Sequence, residues 1–430
     1  MNYNEALAYI NDKDKYGSRL GLDSIGTLLG YLENPHKNLK CIHVAGTNGK
    51  GSTSAYIAQM LRTAGYRVGL YTSPYLESFT ERIQINNLDI PKEDLAKITE
   101  LVKMASDKMV ENGIEHPTTF EIVTAIAFVY FREQDVDYVV LEVGLGGRYD
   151  STNIIQTSLA SVITTIDYDH TEILGNTLSE IAYQKAGIIK ENGLVILYPQ
   201  NSEAEVRILQ VAEEKNARVV KVPMDGIDIT SQTYLESVFN FKINQFDFEN
   251  IKISMIGKYQ IYNAVTAITT IIELEKLGVL NISEKELKEG LLKTKWKGRL
   301  EVIKKNPIFL IDGAHNLQGI TQLVEAIKLF PYKRLILGVA VLKDKDFSHM
   351  IEKISLLADE VVATEVNMPR KLDANILANE VSKHNRNVHI EKDIKRAILK
   401  TFELSNSEDM IVFCGSLYLI GEVRTIINLL

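Results

Sequence analysis

The chain has 430 residues, of which 45% are hydrophobic and 24% are charged; this is a globular mix in a chain long enough for two domains. Its formal net charge of −8 argues against nucleic acid or an anionic membrane as a partner, so an anionic substrate would need a local basic pocket. With only two distant cysteines, no apolar signal core and no run of eighteen apolar residues, we expect a cytoplasmic protein without disulfides or membrane spans.

Short apolar runs alternate with helical patterns over the first 200 residues. Strands are predicted in "CIHVAG", "RVGLYTS", "DYVVLEVG", "LASVITTI" and "GLVILYP". Helices are predicted over residues 50–64 and in "TTFEIVTAIAFVYFREQ", which is almost wholly apolar and should be buried. Alternating strands and helices predict a parallel sheet with helices on both faces.

The pattern changes twice further along the chain. Residues 233–256 alternate apolar and polar side chains, which predicts antiparallel strands at an edge, and "YQIYNAVTAITTIIELEKLG" then predicts a helix. After "KTKWKGRLE" the strand–helix alternation restarts in "PIFLIDGAHN", "RLILGVAVLKD", "EVVATEV" and "MIVFCGS". We therefore predict an α/β protein of two domains. Residues 1–296 form a P-loop ATPase-like, mostly parallel sheet with an antiparallel edge, and residues 297–430 form a smaller Rossmann-like domain. Substrates should bind where the two meet.

"HVAGTNGKGST" lies between a predicted strand and a predicted helix and favours phosphate binding. Glycines let backbone N–H groups approach phosphate oxygens, the helix N-terminus adds its positive end, and Lys50 supplies a point charge. The common phosphate-loop motif has a glycine at the position of Val44 and a hydroxyl residue at the position of Gly51. A hydroxyl residue later in this loop must therefore supply the missing hydroxyl group. A plain glycine turn is the alternative. The predicted loop comprises Gly46, Thr47, Asn48, Gly49, Lys50, Gly51, Ser52 and Thr53.

Several polar residues follow predicted strands and are candidates for a metal or an anion. Glu142 ends a strand and should face the ligand crevice, although it could instead cap the next turn. In "DYDHTEILG", Asp169 and His170 follow another strand, but histidine is an uncommon Mg²⁺ ligand and a core hydrogen-bonding role is the alternative. Ser73, in "TSPYL", is close enough to a strand end to reach a metal.

Two basic residues have an ordinary interpretation beside the functional one. Arg82 could contact an anion, whereas a lone arginine more often forms a surface salt bridge. Lys185 lies near the end of a predicted helix, where a lysine normally interacts with the helix dipole.

Together these motifs resemble the Mur ligase family and, within it, the folylpolyglutamate synthases, which are often also dihydrofolate synthases. The resemblance spreads over most of the chain. It rests on "GTNGKGST", "TSPYL…ERI", "TFE", "LEVGLGGRYDSTN", "DHTEILG…IAYQKAGIIK", "GKYQIYNA", "WKGRLE", "IDGAHN", "KDKDF" and "GSLY…GEVR". Many members have Trp-Pro-Gly-Arg where this chain has Lys297 as the second residue, which places hinge stiffness in doubt but keeps Arg299.

The resemblance implies a role for each matching residue. Lys50 and its loop would hold the ATP phosphates, and Lys185 matches a lysine that is carbamylated in the family, which would turn a cation into an anion. Two Mg²⁺ sites are implied, with K⁺ as a further candidate ion, and their lining would be Ser52, Ser73, Glu142, His170 and Lys185. The other nucleotide positions would be Asn263, Arg299 and Asp312. Substrate positions would be Arg82, Phe120, His315 and Ser416.

The implied activity is ATP-dependent amide formation between a folate carboxylate and L-glutamate through an acyl phosphate. His315 would either help to deprotonate the glutamate ammonium or bind glutamate. A dihydrofolate synthase alone, a P-loop ATPase switch and a peptidoglycan-precursor ligase are alternatives. The switch gives the second-domain motifs no purpose, and the last would need a larger domain before the phosphate loop. Because no long apolar helix face stands out, we expect a monomer.

Overall fold

In the computed structural model, which describes residues 1–17 and 21–429, the chain builds two mostly parallel sheets and one small antiparallel sheet. The first sheet has eight strands in the order β4-β3-β2-β5-β1-β6-β7-β8, and only β3 and β4 run antiparallel to their neighbours. Its strands are β1 Cys41–Ala45, β2 Val68–Tyr71, β3 Ile83–Ile85, β4 Leu88–Asp89, β5 Tyr138–Glu142, β6 Ala160–Ile163, β7 Leu194–Leu197 and β8 Arg218–Lys221. The five strands predicted here are confirmed.

Helices cover both faces of this sheet, as predicted. They are α1 Tyr3–Asp12, α2 Asp23–Tyr31, α3 Lys50–Thr63, α4 Lys92–Glu111, α5 Thr119–Glu133, α6 Thr171–Leu174, α7 Leu178–Ala186 and α8 Ser202–Glu214. Helix α5 is apolar around most of its circumference because β-strands, α2 and α4 enclose it. It begins with a capping box in which Thr118 and Glu121 satisfy each other's backbone N–H groups, and this fixes the start of the helix beside the cavity described below.

The alternating segment after β8 forms antiparallel strands, but their location differs from the prediction. Strands β9 Ile227–Gln232, β10 Ser237–Ile243 and β11 Phe246–Ile253 make a separate three-stranded sheet. The antiparallel edge of the main sheet is instead β3 and β4. One face of β10 and β11 is buried in a core shared with α3 and with α9 Lys258–Lys276, which explains the alternation. Helix α10 Glu284–Lys293 completes the N-terminal domain.

The C-terminal domain is built on the second sheet, in the order β12-β13-β17-β14-β15-β16, where only β12 is antiparallel. Its strands are β12 Glu301–Lys305, β13 Ile308–Ile311, β14 Leu335–Val339, β15 Glu360–Ala363, β16 Val388–Ile390 and β17 Met410–Cys414. Its helices are α11 Leu317–Ile327, α12 Phe347–Ser355, α13 Ala374–Val381, α14 Ile394–Leu404 and α15 Leu417–Leu429. In the described part of the chain, no helix combines the length and the apolarity needed to cross a bilayer.

Candidate active site

One cavity of about 480 Å³ opens between the two domains, outside the carboxyl ends of the parallel strands. It collects the predicted site residues from segments that are up to 370 positions apart, between Gly46 and Ser416. Thr53 is the exception: its side chain is fully buried within α3 and does not line the cavity. The predicted residues that do line it are Gly46, Thr47, Asn48, Gly49, Lys50, Gly51, Ser52, Ser73, Arg82, Phe120, Glu142, His170, Lys185, Asn263, Arg299, Asp312, His315 and Ser416.

The loop between β1 and α3 has the geometry of a phosphate cradle. Gly49 has φ 84°, a left-handed angle that suits glycine, and a Cβ there would approach the Asn263 side-chain oxygen at 2.6 Å. The Lys50 ammonium lies over the loop and donates to the carbonyl oxygens of Gly46 at 3.0 Å and Thr47 at 3.1 Å. Burial lowers the pKa of Lys50, and Glu142 and Asp169 oppose that effect. The loop therefore presents a partly buried lysine at the start of a helix.

A carboxylate and a second lysine complete the floor of the cavity. Glu142, at the end of β5, is buried and accepts a bond from the Ser73 backbone N–H at 3.3 Å. Burial raises the pKa of the Glu142 carboxyl, partly offset by Lys50. The Lys185 ammonium donates to the Gly46 carbonyl oxygen at 2.7 Å, and burial, together with nearby Lys50, lowers its pKa to about 7. Lys185 does lie in the last turn of α7, but its charged end reaches across to the phosphate loop.

Asp169 joins the domains across the cavity. Its carboxylate accepts from the Lys345 ammonium at 2.5 Å and lies 3.7 Å from His315 Nε2, and both partners belong to the C-terminal domain. Burial would raise the pKa of Asp169, but Lys345 and the neighbouring histidines outweigh it, so the pKa is lowered below its ordinary value. His170, the next residue, has φ 50° and lines the cavity; burial lowers its pKa. Asp169 is thus committed to an interdomain ion pair.

The C-terminal wall is held by buried polar groups. Asp312 accepts from the backbone N–H groups of Leu300 and Ala314, both at 2.8 Å, and so fixes the turn that carries Arg299. His315 Nδ1 donates to the Gly313 carbonyl oxygen at 2.7 Å, which leaves Nε2 as an acceptor directed towards Asp169. Burial lowers the pKa of His315 to about 4, so its imidazole is neutral near pH 7.

A second wall carries aromatic and basic groups. The Arg82 guanidinium lies over the rings of Tyr75, at 5.2 Å, and Phe79, at 5.5 Å, and it forms no salt bridge with any residue that the structure describes. Phe120, in the first turn of α5, faces the same cavity. Flat apolar surface beside a cation suits an aromatic molecule that bears a carboxylate.

Several cavity residues escaped sequence reasoning, although motifs pointed to some of them. Lys345 lies in "KDKDF" and Asp150 in "GGRYDSTN", both of which are motifs of the resemblance without an assigned role, whereas Arg370 lies in none. Asn48 donates to Gln318 at 2.6 Å, a contact between the phosphate loop and the C-terminal domain that no local pattern encodes. Within residues 1–17 and 21–429, no three His, Cys, Asp or Glu side chains are grouped to hold a metal ion by themselves.

The chain also matches known proteins over nearly its whole length. Residues 44–271 match the Mur ligase middle domain and residues 298–417 match the Mur ligase, glutamate ligase domain. A Bacillus subtilis (strain 168) protein named dihydrofolate synthase/folylpolyglutamate synthase is 37% identical over 428 residues, which cover 98% of each chain.

Two solved structures show the same architecture. Folylpolyglutamate synthase from Thermotoga maritima is 36% identical with a TM-score of 0.86, over 99% of this chain and 96% of its own. Mycobacterium tuberculosis folylpolyglutamate synthase, solved with ADP and AMPPCP, is 27% identical with a TM-score of 0.90, over 99% of both chains. With its phosphate loop, its two-domain cavity and these matches, the chain belongs to the Mur ligase family, among the folylpolyglutamate and dihydrofolate synthases.

Proposed function

We propose that the protein is an ATP-dependent ligase that joins L-glutamate to the γ-carboxyl group of tetrahydrofolate or of its polyglutamates. The observation that carries this proposal is that one cavity combines the phosphate loop of one domain with His315 and Ser416 of the other. The names of the relatives supply the substrates, and the M. tuberculosis structure supports the nucleotide. Addition of the first glutamate to dihydropteroate is the second activity to test, because the B. subtilis relative carries both names.

The chemistry explains why both domains are needed. A carboxylate is a poor electrophile, so one of its oxygens first attacks the γ-phosphorus of ATP to give an acyl phosphate and ADP. The glutamate amine then attacks the acyl carbon, the amide forms, and phosphate leaves with that oxygen. Lys50 would bind the transferred phosphoryl group, and Arg299 would approach it from the C-terminal domain. Closure of the domains would exclude water and protect the intermediate from hydrolysis.

The residues present fit Mg²⁺, provided that the nucleotide supplies part of the coordination. Glu142 is a buried carboxylate in the cavity, and Ser52 and Ser73 add hydroxyl groups, which are the oxygen donors that Mg²⁺ prefers. The described residues contain no cluster of three acidic or histidine ligands, so phosphate oxygens and water would complete the shell. When bound, Mg²⁺ would neutralise charge on the phosphates during transfer. We assign Glu142, Ser52, Ser73 and His170 to two such sites.

Lys185 is proposed to act as a carbamate. A neutral amine is needed to attack CO₂, and burial beside Lys50 already lowers the pKa of Lys185 to about 7. The ammonium first loses one proton to give the neutral amine, and the attack on CO₂ then forms an N–C bond and releases a second proton. Both protons pass to solvent, and the former cation becomes an anion with two oxygens. This change removes the repulsion with Lys50 and adds oxygen donors at the proposed metal site.

His315 is proposed to bind glutamate rather than to deprotonate it. A base with a pKa of about 4 holds a proton far less tightly than the amine that must give it up. Its Nε2 atom can instead accept a hydrogen bond, and Ser416, buried two residues after β17, offers a hydroxyl in the same cavity. On the other wall, Arg82 and Phe120 would bind the folate.

Purified protein with ATP, L-glutamate and tetrahydrofolate, or dihydropteroate in a parallel reaction, tests the proposal. ADP release should require both the pterin and glutamate, and ¹⁸O placed in the pterin substrate's carboxyl group should appear in the released phosphate. Nucleotide hydrolysis that neither substrate stimulates would favour an ATPase switch. Product from dihydropteroate alone would restrict the protein to dihydrofolate synthesis.

The setting of the reaction is part of the same proposal. We place the protein in the cytoplasm, where a reducing medium suits its two buried free thiols, Cys41 and Cys414. We also infer that it works as a monomer, with a functional boundary between residues 296 and 297. Size-exclusion chromatography with light scattering tests the monomeric state, and separate expression of residues 1–296 and 297–430 tests the boundary.

A further inference from the structure

The loop between β2 and β3 links the catalytic floor to the C-terminal domain. Its base is closed by a bond from the Thr72 N–H to the Arg82 carbonyl oxygen at 3.0 Å, and its ends carry Ser73 and Arg82, which line the cavity. We call residues 72–82 the substrate loop. Its tip, at Leu76 and Glu77, leaves its own domain and lies against α15. Helix α15 contains the "GEVR" sequence, a specific motif to which the proposed reaction gives no role.

The first contact is a close approach of two backbones. Leu76 packs into the apolar core of the C-terminal domain, near Ile420 and Gly298. At Gly421, a Cβ would overlap the carbonyl oxygen of Leu76, so only glycine lets the helix come this near. The glycine that begins "GEVR" is therefore required by a close contact with the N-terminal domain.

The second contact is an ion pair at the last residue of the motif. Arg424 contacts the Glu77 carboxylate through Nη1 and donates from Nε to Glu301 at 2.9 Å, so it joins the loop tip to the C-terminal sheet. Thr425 adds a hydroxyl bond to Glu77 at 3.0 Å. Arg424 is only 19% exposed and Glu77 21%, so the pair is partly shielded from solvent and gains more than a surface pair would.

The tip is tied back to both ends of the loop. Glu81 accepts from the N–H groups of Leu76, at 2.8 Å, and Glu77, at 3.3 Å. Arg82 follows Glu81 directly and lies over the ring of Tyr75, which precedes the tip. A shift of the tip must therefore move Arg82, and Ser73 lies only three residues before Leu76.

We propose that Gly421 and Arg424 are positioning residues that dock the substrate loop on the C-terminal domain and so set the places of Ser73 and Arg82 in the cavity. The domain that is proposed to bind glutamate thereby also orders the metal and folate side of the site. This inference rests on the proposed function for the roles of Ser73 and Arg82, but the docking itself does not depend on it.

Glu77→Gln and Gly421→Ala test the docking, with Glu422→Gln and Gly30→Ala as matched controls. Glu422 is an exposed acid of the same motif, and a Cβ at Gly30 would meet no atom within 4 Å. Both test variants should speed hydrogen–deuterium exchange of the Leu76 and Glu77 amides by roughly 10-fold or more, because the bonds to Glu81 open more often. Both should also raise KM for the pterin substrate by roughly 10-fold through Arg82 and lower kcat through Ser73. KM for ATP should change less than about two-fold, because the phosphates are assigned mainly to the loop that carries Lys50. The control variants should match the wild type.

Unchanged exchange in the substrate loop of both test variants would overturn the proposal. So would equal rises in KM for the pterin and for ATP, which would indicate a general loss of structure. If Gly421→Ala does not fold, Glu77→Gln decides alone, since a glutamine at this half-buried position keeps the size of the side chain. A wild-type protein that lacks pterin-dependent turnover would refute the proposed function, and the exchange measurement would still judge the docking.

Discussion

Replacement of Lys185 by alanine is the sharpest test of the proposed chemistry. The change deletes the buried side chain that, as an ammonium, bonds to the Gly46 carbonyl oxygen and that, as a carbamate, would place an anion beside the metal site. We expect turnover to fall by roughly 100-fold or more, because a charged group that acts on the transferred phosphoryl group contributes a few kcal/mol to the rate. Short carboxylates such as acetate should restore part of the activity by occupying the space of the carbamate.

The size of the carbamylation effect follows from the environment of the lysine. At about pH 8, an amine with its ordinary pKa of 10.5 is neutral in only about 0.3% of molecules, whereas a pKa of about 7 makes about 90% neutral. The reactive fraction therefore rises about 300-fold. Since only the neutral amine attacks CO₂, carbamylation and activity should increase as pH rises through about 7 and then level off.

¹³C-bicarbonate with carbon NMR supplies the assay. Wild-type protein should show one carbamate signal that is absent from Lys185→Ala. Lys190 is the matched control, because it is half-buried and burial lowers its pKa to about 8, but it bonds to Asn153 and does not line the cavity. In Lys190→Met the carbamate signal should persist, and acetate should have no effect. A fully active wild-type protein whose Lys185 carries no carbamate by NMR and intact mass would refute the reasoning.

Three further predictions follow from individual groups. Lys50→Ala should lower kcat for ADP release by on the order of 100-fold, and near-normal turnover would contradict its phosphate role. Asp169→Asn should cost roughly 3 kcal/mol in the denaturant-measured free energy of unfolding, because it leaves the Lys345 ammonium buried without its partner; Asp167→Asn is the control and should cost far less. His315, with a pKa of about 4, should stay neutral above about pH 5. The pH profile of kcat/KM for glutamate should therefore contain no step near pH 6.5 that depends on His315. A wild-type step near pH 6.5 that is absent from His315→Gln would mean that the residue titrates as an exposed histidine.

Local patterns predicted those parts of the site that are encoded locally. The phosphate loop could be identified because glycines, a lysine and a strand–helix junction fall within a few positions, and Glu142 because it ends an apolar run. Strand alternation over residues 233–256 also predicted the antiparallel nature of β10 and β11 correctly, whereas β9 lies before that range and was not predicted. It could not predict to which sheet they belong, because a half-buried strand has the same pattern at an edge as in a separate sheet.

Contacts between the domains were beyond sequence reasoning. Asn48 and Gln318 are 270 positions apart, and Asp169 and Lys345 are 176 positions apart, so their pairing depends on the relative orientation of two independently folded sheets. The sequence suggested a metal or core role for the "DYDH" segment because carboxylates near strand ends favour cations. The structure gives Asp169 a cation of another kind, a lysine from the other domain.

The electrostatics of the cavity explain how an acidic chain accommodates polyanionic substrates. Two ammonium groups, the partly buried Lys50 and the buried Lys185, lie near each other, and burial and mutual repulsion lower the pKa of Lys185. Such an arrangement is unfavourable in the empty site and becomes favourable when phosphates or a carbamate bring negative charge between the two lysines. Lys185 is therefore the one suited to become an anion, whereas at Lys50 the Glu142 carboxylate opposes the lowering of the pKa by burial and so favours the charged form. Two chemically identical side chains can thus take different parts, because Glu142 is the main group that counters burial at Lys50, whereas at Lys185 burial acts together with the neighbouring ammonium.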